Sequence, residues 1–385
     1  MSRMLMLANA ASFLLLFNMD NILLLQKLGV AVEVAANFEE GNTTDAETVA
    51  RFREWCDEHG VKCHHIAACR NVYDFRGDIA SYRQLMKIVR DGHFDFIHCH
   101  TPIGGVLGRL AGHRAKIPVI YTAHGFHFYK GGPLKYKLLY YPVERLLAPF
   151  TKTLITINEE DYAVAKRMAG KRAEYVPGIG LDLDRFRPDA EKRAETRGAL
   201  GLSDDEIMIL SVGEMIPRKN YGLAFRVLAR LKNEPIYPLI RYYICGIGEQ
   251  KEELERYARE LGISDTVHFA GFCRNVEDMY AAADLFLFTS KQEGLPMALL
   301  NSMGCGVPAV CTRIRGNVDL IPDDTVGRVA DDEKTLAAAV TELIGDRALR
   351  ERISGAARRR SGEFSKERVH ERMEAVYRRI LQEGD

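Results

Sequence analysis

The chain has 385 residues, more than the ~250–300 that one hydrophobic core usually organises, so two domains are expected. Apolar content of 47% and charged content of 28% fit an ordinary globular protein, and Lys+Arg 53 against Asp+Glu 53 gives no global sign of a nucleic-acid partner. The eight cysteines (Cys56, Cys63, Cys69, Cys99, Cys245, Cys273, Cys305 and Cys311) contain no C-x-x-C pair, and several stand in apolar runs as small hydrophobes; this reads as a reducing cytoplasm without structural disulfides.

The first 25 residues resemble a leader only superficially. Their apolar runs are broken by Asn9, Ser12, Asn18, Asp20 and Asn21, short of the ~18–20 uninterrupted residues a spanning helix needs. First strand, polar turn and first helix is the reading, and the chain is expected not to be transmembrane. Strands are then expected at 4–8, 30–35, 63–67, 96–100, 119–122 and 154–157, alternating with helices at 48–59, 82–91, 105–114, 134–147 and 159–168. Such alternation implies right-handed βαβ units, a parallel sheet, and ligands at the strands' carboxyl ends.

Turn residues cluster in Val176-Pro-Gly-Ile-Gly-Leu-Asp182, which reads as an interdomain linker. The alternation restarts with strands at 207–212, 241–245, 267–269, 285–288 and 309–311, and helices at 223–231, 250–261, 276–282 and 296–303. Amphipathic helices at 335–345, 349–360 and 366–381 finish the chain. The fold class expected is α/β, with two Rossmann-like doubly wound domains facing across a cleft.

Several segments carry candidate chemistry. In Ser211-Val-Gly-Glu-Met-Ile-Pro-Arg-Lys-Asn220 a strand ends, Gly213 turns, and Arg218 and Lys219 precede a helix, which suits a phosphate clamp; a solvated loop is the other reading. Cys245-Gly-Ile-Gly-Glu249 offers Gly246 for close backbone approach to a nucleotide but lacks the third glycine of a dinucleotide fingerprint. Tyr121-Thr-Ala-His-Gly-Phe-His127 puts His124 just past a strand, as ligand contact or as a structural histidine. His98 and His100 share one strand face and read as pocket wall or core rather than metal ligands, since no further ligand spacing accompanies them. Asn18, Asp20 and Asn21 stand at the first strand–helix joint as acceptor contacts or helix caps. From Phe126 to Pro142, aromatics mix with Lys130, Lys135 and Lys137, as in segments that bind anionic membrane interfaces; a core helix with a basic outer face is the alternative.

The most specific string is Ser290-Lys-Gln-Glu-Gly-Leu-Pro-Met-Ala-Leu-Leu-Asn-Ser-Met-Gly-Cys-Gly-Val-Pro308, between two apolar runs. A helix opened by Pro296 would offer unpaired N–H groups and a positive dipole end to a diphosphate. The string resembles the Glu–seven residues–Glu signature of glycosyltransferase family 4, close to bacterial capsule and exopolysaccharide members. The resemblance spans nearly the whole chain and is strongest over 121–161 and 285–320. It implies the GT-B fold, with an acceptor-binding domain at 1–178, a nucleotide-sugar domain at 179–365, and a last helix (366–385) that returns to the first domain.

By the same resemblance Glu293, His124 and Lys219 are catalytic, Glu293 and His124 lying by the donor sugar and Lys219 on its diphosphate. Gly213, Arg218, Gly246, Arg274, Gly294, Leu295, Pro296 and Asn301 line the donor nucleotide sugar, with Arg274, in Gly271-Phe-Cys-Arg-Asn275, on the nucleobase side or in a plain structural turn. Two positions depart from the pattern. Asn301 replaces the second Glu, which usually holds the ribose, and Glu214 stands where many members have Arg. The function implied is a retaining, metal-independent hexosyltransferase using a UDP-sugar and no cofactor. Its acceptor would be a polyprenyl-diphosphate-linked glycan, met by peripheral contact at the inner face of the cell membrane. A sugar-nucleotide 2-epimerase and a catalytically weakened partner subunit are the rival readings.

Overall fold

The computed structural model describes residues 1–68, 75–169 and 172–382. Cys69 and the last three residues of the expected returning segment lie outside the described residues. The chain divides into two compact units, Met1–Ile179 with Glu367–Asp385, and Gly180–Lys366.

The first unit is built on seven strands: β1 (Arg3–Ala10), β2 (Ala31–Asn37), β3 (Lys62–His65), β4 (Phe96–His100), β5 (Val119–Ala123), β6 (Thr153–Thr156) and β7 (Ala173–Tyr175). They pair in the order β3-β2-β1-β4-β5-β6-β7, every neighbour parallel. A parallel sheet covered by helices on both faces buries both sides of its strands, which is why β1 reads as a continuous apolar run and Met4, Leu5, Met6 and Leu7 are all buried. The chain order reverses between β1 and β4, so the crevice at their carboxyl ends is where this topology takes ligands.

The second unit repeats the plan with β8 (Ile207–Val212), β9 (Ile240–Cys245), β10 (Val267–Gly271), β11 (Leu285–Phe288), β12 (Ala309–Thr312) and β13 (Arg328–Ala330). The order is β10-β9-β8-β11-β12-β13, again parallel, and the reversal falls between β8 and β11.

Three local details differ from the sequence reading. β1 runs to Ala10 and the helix Ala11–Phe17 follows at once, with no polar loop between them; Ala10 and Ala11 are small and buried, so the chain turns without one. The polar stretch instead interrupts the helix: Asn18, at φ −132 and ψ 0, separates Ala11–Phe17 from Met19–Lys27. Pro296 is the N-cap of Met297–Gly304, one residue earlier than expected, with its backbone still extended at φ −78 and ψ 108.

The last helix, Lys366–Gln382, belongs to the first unit from Glu367 on. Val369, Met373, Val376, Tyr377 and Ile380 form one stripe buried against Met4, Met6 and Phe96. Each such side chain is worth roughly 1.5–3 kcal/mol on burial, so this stripe fixes the helix on the sheet. Among the described residues the seven cysteines are free thiols, and no helix is long and apolar enough to cross a membrane.

Candidate active site

In the second unit the loops after β8 and β11 meet at the topological reversal. The β8 loop is laced to β9 by hydrogen bonds from Gly213 N to Cys245 O (2.9 Å) and from Met215 N to Ile247 O (2.9 Å). The strands' ends lie so close that a Cβ on Gly246 would stand 2.0 Å from the carbonyl oxygen of Gly213, so only glycine fits there. Tyr221 Oη donates to that same carbonyl at 2.7 Å. Asn220 takes a left-handed backbone, φ 56, and its side chain donates to Thr289 O at 3.2 Å, tying the Arg218-Lys219 segment to the end of β11.

That tie brings three sequence candidates together. Lys219 Nζ lies 2.8 Å from Glu293 Oε1, and Arg218 Nη1 lies 2.8 Å from Glu293 Oε2. Arg218 also donates to Gln292 O (2.9 Å), and Lys291 N donates to Arg218 O (2.8 Å). Lys219 Nζ stands 4.9 Å from the centre of the Phe288 ring. Burial pushes the Glu293 carboxyl up, but the Lys219 and Arg218 cations outweigh it and hold the group below the usual carboxylate range. The cluster is one anion between two cations, with positive charge to spare.

Gly294, Leu295 and Pro296 carry the chain from Glu293 into Met297–Gly304; Leu295 is buried. Asn301 follows within that helix, and its Oδ1 is buried with no hydrogen-bond partner among the described residues. Arg274 is exposed in the turn after β10 and makes no hydrogen bond or ion pair with the described residues. Two further groups went unread in the sequence. Arg315, buried, donates from Nε to Glu293 O at 3.0 Å, and Tyr221 supports Gly213. Arg315 is one of two arginines in a loop run, a signal too common to select it.

In the first unit His124 follows β5 directly, and its Nε2 lies 3.2 Å from Nδ1 of His100 at the end of β4. Phe13 meets the His124 ring edge-on at 4.8 Å. His98 is fully buried, with Nδ1 2.9 Å from Tyr377 Oη and Nε2 2.8 Å from Thr122 Oγ1, and its ring lies 4.2 Å from that of His100. Burial pushes the histidines down, His98 to about 3 and His124 to about 4, so all three rings are neutral near pH 7. Thr101, next in the chain, has φ 63 and ψ 156, a conformation that costs a non-glycine residue of order 1–3 kcal/mol and gathers at functional sites.

The polar residues near the first helix make contacts within the protein, and the buried Asn18 Nδ2 has no hydrogen-bond partner among the described residues. Asn18 is buried and accepts from Asn21 Nδ2 (3.2 Å), while Asp20 faces His370 of the last helix at 3.7 Å. Lys130, Lys135 and Lys137 are exposed, the last two on the helix Leu134–Leu147. That helix buries Leu147 and packs Tyr140 and Tyr141 on the core, but it also turns an acidic residue inward and several leucines outward. Its buried polar residue, Glu144, binds Arg109 Nη1 at 2.7 Å inside the unit, while Leu134 (69%), Leu138 (68%) and Leu146 (72%) are exposed. No group of three or more metal-ligating side chains occurs among the described residues.

Residues 192–360 match the family described as glycosyl transferases group 1, and residues 20–177 match the glycosyl transferase 4-like domain. EpsD of Bacillus subtilis, itself named only provisionally as a glycosyltransferase, is 36% identical over 308 residues, covering 78% of this chain and 80% of EpsD. The Escherichia coli UDP-Gal:alpha-D-GlcNAc-diphosphoundecaprenol alpha-1,3-galactosyltransferase is 27% identical over 289 residues, 73% of this chain and 74% of that one. Among solved structures, Anabaena HepE in complex with UDP and glucose superposes with a TM-score of 0.77 at 19% identity, over 98% of this chain and 100% of HepE. Sucrose-phosphate synthase of Thermosynechococcus elongatus gives 0.78 at 17% identity over 100% of both chains.

Proposed function

Because the chain belongs to the family 4 glycosyltransferases, whose fold is GT-B, we propose that it is a retaining, metal-independent enzyme moving a hexose or N-acetylhexosamine from a UDP-sugar to a polyprenyl-diphosphate-linked glycan. The carrying observation is the Glu293–Lys219–Arg218 cluster at the reversal of the second sheet. Cleaving the bond between the anomeric carbon and the diphosphate sends an electron pair onto the leaving oxygen. Cations fixed beside that oxygen stabilise the transition state more than the ground state.

In this reading the diphosphate takes the two cations from Glu293, and the released carboxylate accepts hydrogen bonds from donor hydroxyls. Glu293 need not act as a nucleophile. The leaving phosphate oxygen takes the proton of the acceptor hydroxyl as its oxygen bonds to the anomeric carbon on the same face. His124 contacts the donor sugar, and Gly213, Gly246 and Gly294 allow the nucleotide close to the backbone. Asn301, whose oxygen is buried and unpartnered, takes the ribose more weakly than a carboxylate would, by about 1 kcal/mol.

The donor class has support from the UDP complex of HepE, and the acceptor class from the undecaprenol-linked substrate of the E. coli relative. Work in surface-polysaccharide assembly is the reading implied by the resemblance of the 290–308 string to bacterial capsule and exopolysaccharide members. The outward leucines of Leu134–Leu147, flanked by Lys130, Lys135 and Lys137, suit peripheral contact with the inner face of an anionic membrane.

The test is UDP release from a panel of UDP-sugars, with and without a polyprenyl-diphosphate-sugar in detergent. Acceptor-dependent release with one donor is the expected result and identifies the sugar. Release without acceptor, with a 2-epimerised product, assigns an epimerase. No release with any donor from folded protein assigns a partner subunit.

A further inference from the structure

We propose that His100 is a positioning residue that fixes the tautomer of His124, so that His124 offers an N–H from Nδ1 to an oxygen atom of the substrate. The inference rests on the transferase reading for the identity of that oxygen and on the geometry of the first unit for everything else.

His100 Nδ1 and His124 Nε2 are 3.2 Å apart, a hydrogen bond that needs one proton between them. Each ring is neutral and carries one N–H, so only two arrangements satisfy the contact. In one, His124 donates from Nε2 and His100 keeps its proton on its own Nε2. In the other, His100 donates from Nδ1 and His124 keeps its proton on Nδ1.

His100 Nε2 decides between them. It is buried, in a residue only 1% exposed, and has no hydrogen-bond partner among the described residues. The first arrangement leaves a buried N–H there with nothing to accept it; the second leaves a bare lone pair. Orphaned buried N–H groups are the rarer defect in folded proteins, so the second arrangement is favoured. His124 then carries its proton on Nδ1, which makes no hydrogen bond with the described residues. Neither ring is free to turn out of this contact, because Phe13 stands edge-on to His124 at 4.8 Å and the His98 ring lies 4.2 Å from that of His100. His98 is held in turn by Tyr377 and Thr122. A donor of fixed direction suits a sugar hydroxyl, which His124 protonated on Nε2 could meet only with a lone pair on Nδ1.

The experiment is nitrogen–proton correlation spectroscopy of the full chain labelled with 15N-histidine, His124 being assigned by the signal lost in His124→Gln. The expected spectrum has His124 protonated at Nδ1 and His100 also protonated at Nδ1. Protonation of His124 at Nε2 in the wild type overturns the proposal. Two variants carry the functional arm. His100→Leu keeps bulk but removes the donor, and is expected to lower turnover about 10-fold or more, as loss of an aimed hydrogen bond does. His100→Asn has an amide N–H near the position of Nδ1 and is expected to recover most of that loss. Equal losses in the two variants overturn the role in positioning. The spectrum needs no turnover, and its assignment needs only that His124→Gln folds, so it decides the tautomer even if no UDP-sugar is turned over, an outcome that would count against the transferase reading alone.

Discussion

The sharpest test of the first unit's interior is its response to acid. His98 is fully buried, and burial holds its imidazole at about 3 against 6.5 in the unfolded chain. Between those two values the unfolded chain binds a proton that the folded one refuses. Stability is therefore complete above pH 6.5 and is lost as pH falls toward 3. At pH 5 the unfolded imidazole is about 1.5 units below its own pKa, and at 1.36 kcal/mol per unit this one residue removes about 2 kcal/mol. His100 and His124 shift in the same direction, so the wild type falls further. Urea unfolding followed by fluorescence reads the first unit alone, because the chain's single tryptophan, Trp55, sits on the helix Ala46–Glu58 against that core. The variant His98→Asn removes one titrating group, and its loss of stability between pH 7.5 and 5 should be smaller by about 2 kcal/mol. If variant and wild type lose the same amount, His98 is not a buried neutral imidazole and the reasoning fails.

Three further outcomes follow from the same geometry. Lys219→Ala should lower acceptor-dependent UDP release by ~10²-fold or more if, as proposed, its cation meets the leaving diphosphate; an unaltered rate takes Lys219 out of the site. Gly246→Ala forces a Cβ to 2.0 Å from the carbonyl oxygen of Gly213, so the β8 and β9 loops must part. Calorimetry should register about 1–3 kcal/mol of lost stability, together with weaker UDP binding, and a neutral substitution would refute the close approach. Replacing Leu138 and Leu146 together by Glu should abolish sedimentation with anionic phospholipid vesicles while leaving the melting temperature unchanged; retained binding would move the membrane contact elsewhere on the chain.

What the sequence made legible follows from how burial is written in residues. Leu285-Phe-Leu-Phe288 and Met4-Leu-Met-Leu7 are buried on both faces, so they appear as unbroken apolar runs and their strands were readable. β7 and β13 have three residues each, too few for any period to emerge. The helix Ala190–Ala199 was missed for a different reason: it docks through arginines. Arg193 donates to Ala282 O (2.8 Å) and pairs with Asp284 (2.6 Å), and Arg197 is buried against the same carboxylate at 3.1 Å. Hydrophobic periodicity is blind to such contacts. It was equally blind to Glu144, a polar residue of Leu134–Leu147 that lies inside while four of the helix's five leucines lie outside. In the site, Glu293, Lys219 and Arg218 were each readable from their loops, but not their mutual pairing, since Lys219 and Glu293 are 74 residues apart in the chain.

The three buried charge clusters also show why one of them is the better candidate for chemistry. A buried charge persists only where its hydrogen-bonding capacity is met. Arg109 and Glu144 form a one-to-one pair, with the Tyr121 hydroxyl donating to the same carboxylate and its ring 4.2 Å from the guanidinium, whose buried Nη2 has no hydrogen-bond partner among the described residues. Arg193 and Arg197 share Asp284 and spend their other donors on the carbonyls of residues 281–283, Ser203 and Glu206. At Glu293 the arithmetic differs. Lys219 has three N–H groups, and Glu293 Oε1 is the acceptor it meets among the described residues, while its ammonium otherwise faces an aromatic ring. Arg218 is part-exposed, and the two cations outnumber the one carboxylate. Positive charge and unspent donors are thus concentrated at the reversal of a parallel sheet, where an anionic ligand can meet both needs at once and Glu293 can exchange its cations for hydroxyl donors. The Asp284 cluster also sets two cations on one carboxylate, but its arginines spend their remaining donors on backbone carbonyls, and the Arg109–Glu144 pair carries no net charge.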